Sequence, residues 1–188
     1  MTARRSVQEP ARQVGGVVSE QDLIRHAEQR MLYIKNLLFT ILIPGVIVVY
    51  VPYIIVDRMR LFVFHGWGFA QIGAVLLVAI GLAILLHCNG VFAWIGRGTL
   101  VPFDPPERLV VRGLYRYMRN PMYAGVLLIL LGEALFFKSV ALLAYAGVWF
   151  VVINIVVVAY EEPTLRGNFG ESYDRYCRTV HRWVPTLH

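Results

Sequence analysis

Four long apolar runs, Asn36 to Val56, Gly68 to His87, Met122 to Phe137 and Val140 to Tyr160, restrict what this chain can fold into more than any other feature. A helix needs about 20 apolar residues to cross roughly 30 Å of hydrocarbon, and all four runs are read as long enough, the third being the shortest. Inside lipid the backbone must satisfy its own hydrogen bonds, so the runs predict helices. The expected fold class is all-α: a polytopic membrane helix bundle of about four transmembrane helices. At 57% hydrophobic and 16% charged over 188 residues, the composition suits neither a disordered tail nor an ordinary soluble domain.

The connecting segments set an expected orientation. Arginine and lysine collect in the N-terminal arm (Arg4, Arg5, Arg12, Arg25, Arg30, Lys35), the middle loop (Arg97, Arg108, Arg112, Arg116, Arg119) and the tail (Arg166, Arg175, Arg178, Arg182), leaving Arg58, Arg60 and Lys138 for the other side. Four crossings put both termini and the middle loop on one face, and the charge bias makes that face cytoplasmic, in the cytoplasmic membrane. Residues Met1 to Gln29 hold no apolar core of a signal peptide, so secretion is not expected. Cys88 and Cys177 then face a reducing compartment, where a disulfide is not expected. The net charge of +6 comes from scattered arginines without an aromatic-interleaved motif, which argues for anionic lipid headgroups rather than nucleic acid. No His, Cys and carboxylate spacing suggests a metal site.

Within that frame, residues 1–18 are expected to be a flexible arm. Ser19 and Asp22 open a helix over 19–35 whose Leu23, Ile24, Ala27, Met31 and Leu32 share one face, an interfacial amphipathic helix on the cytoplasmic side. Residues 36–188 form the membrane domain. Pro44 and Pro52 predict kinks in the first crossing. The middle segment NGVFAWIGRGTLVPFDPPERLVVRG is too polar to cross and too long for a plain connector, which points to function. In the tail, Leu165, Phe169, Tyr173, Tyr176 and Val180 recur at helical spacing and predict a second amphipathic helix at the interface.

Two clusters carry chemistry. In RYMRNPMY, Asn120 and Pro121 make a helix start, with Asn120 accepting a bond from a free backbone N–H. Arg112, Arg116 and Arg119 gather on one side if their segment is helical. In VVVAYEEPTL, Glu161 and Glu162 sit at the predicted C-terminal end of the fourth crossing, where the helix dipole and mutual repulsion disfavour them, so they need an arginine or a bound cation. A hairpin turning near Lys138 and Ser139 brings Arg119 and Asn120 close to Glu161 and Glu162. The resulting site has both charge signs, aromatic walls and access to lipid, and suits a ligand carrying a cation, an anion and an aromatic ring. Elsewhere, Glu133 is read as interfacial or bonded in a helix contact, Asn154 as interhelical glue and His87 as structural.

The motifs GLYRYMRNPMYAG (Gly113 to Gly125), EEPTL (Glu161 to Leu165) and FGESYDRYCRTVHRWVP (Phe169 to Pro185) resemble the isoprenylcysteine carboxyl methyltransferase and phospholipid methyltransferase superfamily, over roughly residues 68 to 185. The resemblance implies a membrane enzyme that uses S-adenosyl-L-methionine without a Rossmann domain and acts on a lipophilic small-molecule or lipid substrate. It places cofactor contacts on Arg108, Leu109, Val110, Tyr115, Asn120, Pro121, Met122, Tyr123, Glu161 and Glu162. Catalytic roles fall to Arg119 or Arg182, holding a carboxylate acceptor, and to Glu162 or Glu161, taking a proton from an amine acceptor. Asn120 replaces the histidine of the prenylcysteine enzymes, and NPMY is similar to the phosphatidylethanolamine N-methyltransferases. Val157 stands where prenylcysteine enzymes have a substrate-binding arginine, whereas the tail is similar to the prenylcysteine branch. O-methylation of a carboxylate is the first reading and phospholipid N-methylation the alternative. A nicotinamide-dependent membrane reductase and a non-enzymatic membrane protein are further alternatives.

Overall fold

A computed structural model of the chain describes residues 42–59, 68–95, 109 and 111–186. The expected arm (1–18) and interfacial helix (19–35), as well as Arg97, Arg108 and Val110, lie outside the described residues. A π-helical turn, Val46–Tyr50, runs into α1 (Val51–Arg58). There follow α2 (Phe69–Ile95), a 3₁₀ turn (Gly113–Arg116), α3 (Pro121–Phe136), α4 (Val140–Val156), a second π turn (Val157–Glu161), α5 (Glu162–Phe169) and α6 (Glu171–Thr179). Among the described residues there is no strand.

Two helical runs are long and apolar enough to cross a membrane, Phe69–Val91 and Val140–Phe169. The third expected crossing is the 16-residue α3, about 24 Å long at 1.5 Å per residue and thus shorter than the hydrocarbon.

The kink expected at Pro52 takes the form of a π turn. The N–H of Val51 bonds the Val46 carbonyl, five residues back. In that register the next donor, due at the Ile47 carbonyl, is missing because residue 52 is proline. The hydroxyl of Tyr145 on α4 donates to Ile47 O instead, at 3.0 Å. The tyrosine thus satisfies a carbonyl that the proline leaves without its helical donor, and ties this segment to α4.

Helices α2 and α3 make the tightest contact, through backbone rather than side chains. A Cβ at Gly81 would stand 2.6 Å from the Gly125 carbonyl oxygen, and one at Gly132 would stand 2.9 Å from the Ala74 carbonyl oxygen. Lipid is as apolar as leucine, so helices associate by close van der Waals approach, which small residues permit. Around this contact Leu85, Val126, Ile129, Leu130 and Ala146 form the main core. A smaller cluster of Val56, Ala134 and Leu142 closes the opposite end.

The hairpin between α3 and α4 turns where expected. Lys138 takes a left-handed conformation, φ 48°, and Ser139 caps α4 by accepting from Leu142 N at 3.2 Å. The start of α3 and the end of α4 therefore share one end of the bundle.

Two expectations about that end are corrected. The fourth helix does not stop at Tyr160: helical structure is continuous through Phe169, so Glu161 and Glu162 occupy a helix interior, not a C-terminus. The tail is not one amphipathic helix either, because Gly170 adopts φ 51° and ψ −128° and separates α5 from α6. Its apolar stripe still converges: Tyr173, Tyr176 and Val180 pack with Leu109, Leu165, Phe169 and Cys177.

Candidate active site

Glu162 is the electrostatic centre of this end. Its carboxylate receives Arg182 in a two-pronged fork, Nε to Oε1 at 2.7 Å and Nη2 to Oε2 at 2.9 Å. Arg119 Nη1 approaches the same Oε1 to 3.0 Å. The side chains of Glu162 and Arg119 are only 12% and 13% exposed, where charge pairs are weakly screened. The bond to Glu162 also pushes the Arg182 guanidinium above its ordinary range, keeping it cationic. Arginine is thus the partner for Glu162, one of the two that the adjacent acids require.

Arg119 reaches this position because the tail loop and α6 both hold it. Its backbone N–H donates to His181 O at 2.9 Å, and its Nη1 contacts Cys177 Sγ at 2.8 Å. Arg112 and Arg116, by contrast, are exposed, so the three arginines do not act as one cluster. The segment Gly113 to Tyr115 between them is seated on α2. Gly113 has φ +58°, and a Cβ there would stand 2.6 Å from His87 Nε2, which gives His87 its structural role. Tyr115 bonds Cys88 of α2, and its carbonyl accepts from the Tyr176 hydroxyl at 2.6 Å. Burial raises the hydroxyls of Tyr115, Tyr173 and Tyr176 above the ordinary phenol range, so all three stay neutral.

Glu161 has a different partner. Its Oε1 accepts a hydrogen bond from the hydroxyl of Tyr123, in the first turn of α3. Tyr123 in turn meets Trp149 edge to face, ring centroids 6.4 Å apart. Pro121 occupies the first turn of α3 and is buried, and Met122 packs on the main core. Asn120 stands at the N-cap, but its side chain makes no capping bond. Its Nδ2 and the Nε of Arg119 are buried donors without a hydrogen-bond partner among the described residues. Buried donors of this kind are uncommon and mark a place where an acceptor belongs.

The C-terminal segment closes the site. Thr186 N donates to Tyr117 O at 2.8 Å, so residues 181–186 form a loop pinned at both ends against 117–119. From this loop Arg182 reaches Glu162, and Trp183 donates to Asn154 Oδ1 at 3.0 Å while meeting Phe150 edge to face. Among the described residues, Asn154 therefore ties α4 to the tail.

The structure brings Tyr115, Asn120, Pro121, Met122, Tyr123, Glu161, Glu162, Arg119 and Arg182 to one end of the bundle. Leu109 lies there as well, packed on the tail aromatics and not on the glutamates. Sequence reasoning missed Cys177, His181 and Trp183. Their contacts depend on the break at Gly170, which no spacing pattern signals. Glu133 lies outside this end, its Oε2 buried without a partner among the described residues.

Comparison with known proteins puts these residues in context. The chain is 29% identical over 88 residues to a probable protein-S-isoprenylcysteine O-methyltransferase of Oryza sativa subsp. indica, covering 46% of each chain, and equally to its counterpart in subsp. japonica. It thus spans about half the length of these curated relatives. A 65-residue stretch is 42% identical to an uncharacterized protein of Haemophilus influenzae, covering 34% of this chain and all of that one. No solved structure matches. The phospholipid methyltransferase family model matches residues 69–172, a stretch from the start of α2 into α6 that includes Asn120, Tyr123, Glu161 and Glu162. As this is more than half of the sequence, the chain belongs to the phospholipid methyltransferase family.

Proposed function

We propose that the protein is an integral membrane methyltransferase that uses S-adenosylmethionine and methylates a lipophilic acceptor at the cytoplasmic face, with four crossings and both termini on that side. The observation that carries the reading is the pair of unpartnered buried donors, Asn120 Nδ2 and Arg119 Nε, one turn from the Tyr123–Glu161 bond. These groups fit the methyl donor: the two nitrogens match its carboxylate, Glu161 matches its ammonium and sulfonium, and Tyr123 with Trp149 offers an aromatic wall for its adenine. S-adenosylmethionine supplies a methyl group on a sulfonium, ready for in-line transfer to a nucleophile. The protein orients and desolvates the reactants, work for which rigid buried side chains are suited.

The two glutamates divide the labour in this reading. Glu162 has both oxygens engaged by arginines and fixes the architecture, while Glu161 serves the ligand. The rice relatives carry names that specify O-methylation of an isoprenylcysteine, which supports a carboxylate acceptor. A second reading, N-methylation of an aminophospholipid, draws on a specific observation. Arg119 and Arg182, the candidates for holding a carboxylate, both bind Glu162, and Val157 is buried and uncharged. In that case Glu161 takes the amine's proton.

Calorimetric titration of the detergent-solubilised protein with S-adenosylhomocysteine and with NADPH tests the cofactor. Binding of the first and not the second supports the proposal; binding of NADPH alone makes the protein a reductase, and binding of neither removes the enzyme reading. Radiolabelled methyl transfer to prenylcysteine analogues, aminophospholipids and extracted lipids then distinguishes the two acceptor classes.

A further inference from the structure

Two prolines in this chain share a local geometry. The π turn Val46–Tyr50 ends two residues before Pro52, and the π turn Val157–Glu161 ends two residues before Pro163. In the second, Glu162 N bonds the Val157 carbonyl five residues back. Proline removes the N–H that would continue the four-residue ladder, and its ring clashes with the carbonyl four residues earlier, here that of Ala159. Widening the preceding turn relieves the clash, so residue 163 is the local cause of the widened turn.

That widening changes which side chains share a face. Asn154 and Glu162 are eight residues apart, and at 3.6 residues per turn an unbroken α-helix would set them about 80° apart. A π turn accommodates one extra residue, which takes back about 100° and leaves the two roughly 20° apart. The tail uses this alignment. Consecutive residues Arg182 and Trp183 bind Glu162 and Asn154, one on each side of the π turn. The tail loop can engage both only because the turn aligns them. The same rotation sets Glu161 toward Tyr123.

We infer that Pro163 is a positioning residue: through the π turn it aligns Asn154 with Glu162 so that the 181–186 loop clamps the helix, and it aims Glu161 at Tyr123. The ligand consequence rests on the function proposed above, whereas the clamp itself does not. Pro163→Ala restores an N–H and removes the ring, allowing the α register to return and turning Glu161 and Glu162 by about 100° relative to Asn154. Deleting Val158, whose side chain is outward-facing, from the Pro163→Ala chain leaves seven α-helical steps between the two anchors and restores their shared face without a π turn.

Two readouts on the full-length protein in detergent test this. Trypsin cleavage after Arg182, followed by mass spectrometry, reports whether the clamp is closed and needs no cofactor. S-adenosylhomocysteine titration reports whether Glu161 is aimed. Pro163→Ala is expected to speed cleavage at least tenfold and weaken the ligand at least tenfold, and the added deletion is expected to return both to within about threefold of wild type. Wild-type cleavage in Pro163→Ala overturns the inference. So does failure of the deletion to restore protection, since loss of rigidity alone is not repaired by shortening the helix. If Pro163→Ala does not fold, the combined variant still decides: a folded, protected chain supports the register argument and an unfolded one refutes it. If wild-type protein binds no S-adenosylhomocysteine, the proposed function fails while the cleavage results continue to judge the clamp.

Discussion

Neighbouring glutamates with different partners should respond differently to the same substitution. Glu162→Gln removes the negative charge shared by Arg119 and Arg182 and leaves two cations facing a neutral amide. Breaking a buried pair by removing one partner costs about 3–5 kcal/mol. Arg182 is 30% exposed and keeps some water, so the low end applies, about 3 kcal/mol. In a chain of this size each kcal/mol lowers the melting temperature by about 2–4 °C, which gives a fall of roughly 6–12 °C. Glu161→Gln differs because the amide oxygen still accepts from the Tyr123 hydroxyl, so the expected loss is below about 1 kcal/mol. Its cost appears in the ligand, with S-adenosylhomocysteine binding weakened by at least tenfold, about 1.4 kcal/mol. Tryptophan-fluorescence melting in detergent, paired with calorimetric titration, measures both. If Glu162→Gln melts within about 2 °C of wild type, or the two variants lose stability equally, the division of roles between the glutamates is wrong.

Other expectations follow from single contacts. With Nδ2 in its proposed role as a donor to the ligand, Asn120→Ala is expected to weaken S-adenosylhomocysteine about tenfold; because the side chain caps nothing, melting should not show the ~1 kcal/mol loss usual for an N-cap. Tyr145→Phe orphans the Ile47 carbonyl and should cost about 1 kcal/mol in thermal unfolding, with ligand affinity unchanged. Gly125→Ala places a Cβ 2.9 Å from the Gly81 carbonyl oxygen, and overpacking against backbone should cost about 1–3 kcal/mol. Gly147→Ala meets nothing within 4 Å and should melt at or slightly above the wild-type temperature.

Hydrophobic run length is a property of consecutive residues, so the helical class, the two membrane-length runs in α2 and α4 and the Lys138 to Ser139 turn were legible in the sequence. The meeting of Arg119 with Glu162 was legible too, since a hairpin with arms of similar length leaves its two ends adjacent. Three features were not. The approach of Gly81 to Gly125 joins residues 44 positions apart, and nothing local distinguishes a packing glycine from the unpartnered Gly147. How Glu161 and Glu162 are turned relative to Asn154 depends on the π turn before Pro163, where sequence periodicity assumes a constant 3.6 residues per turn. The tail loop folds back on Arg119 and Asn154 only because Gly170 breaks the helix that its apolar stripe predicts. Periodicity reports which residues want to be inside, but the partner each one finds is decided by how separate helices rotate and approach, and that is settled only when all of them pack together.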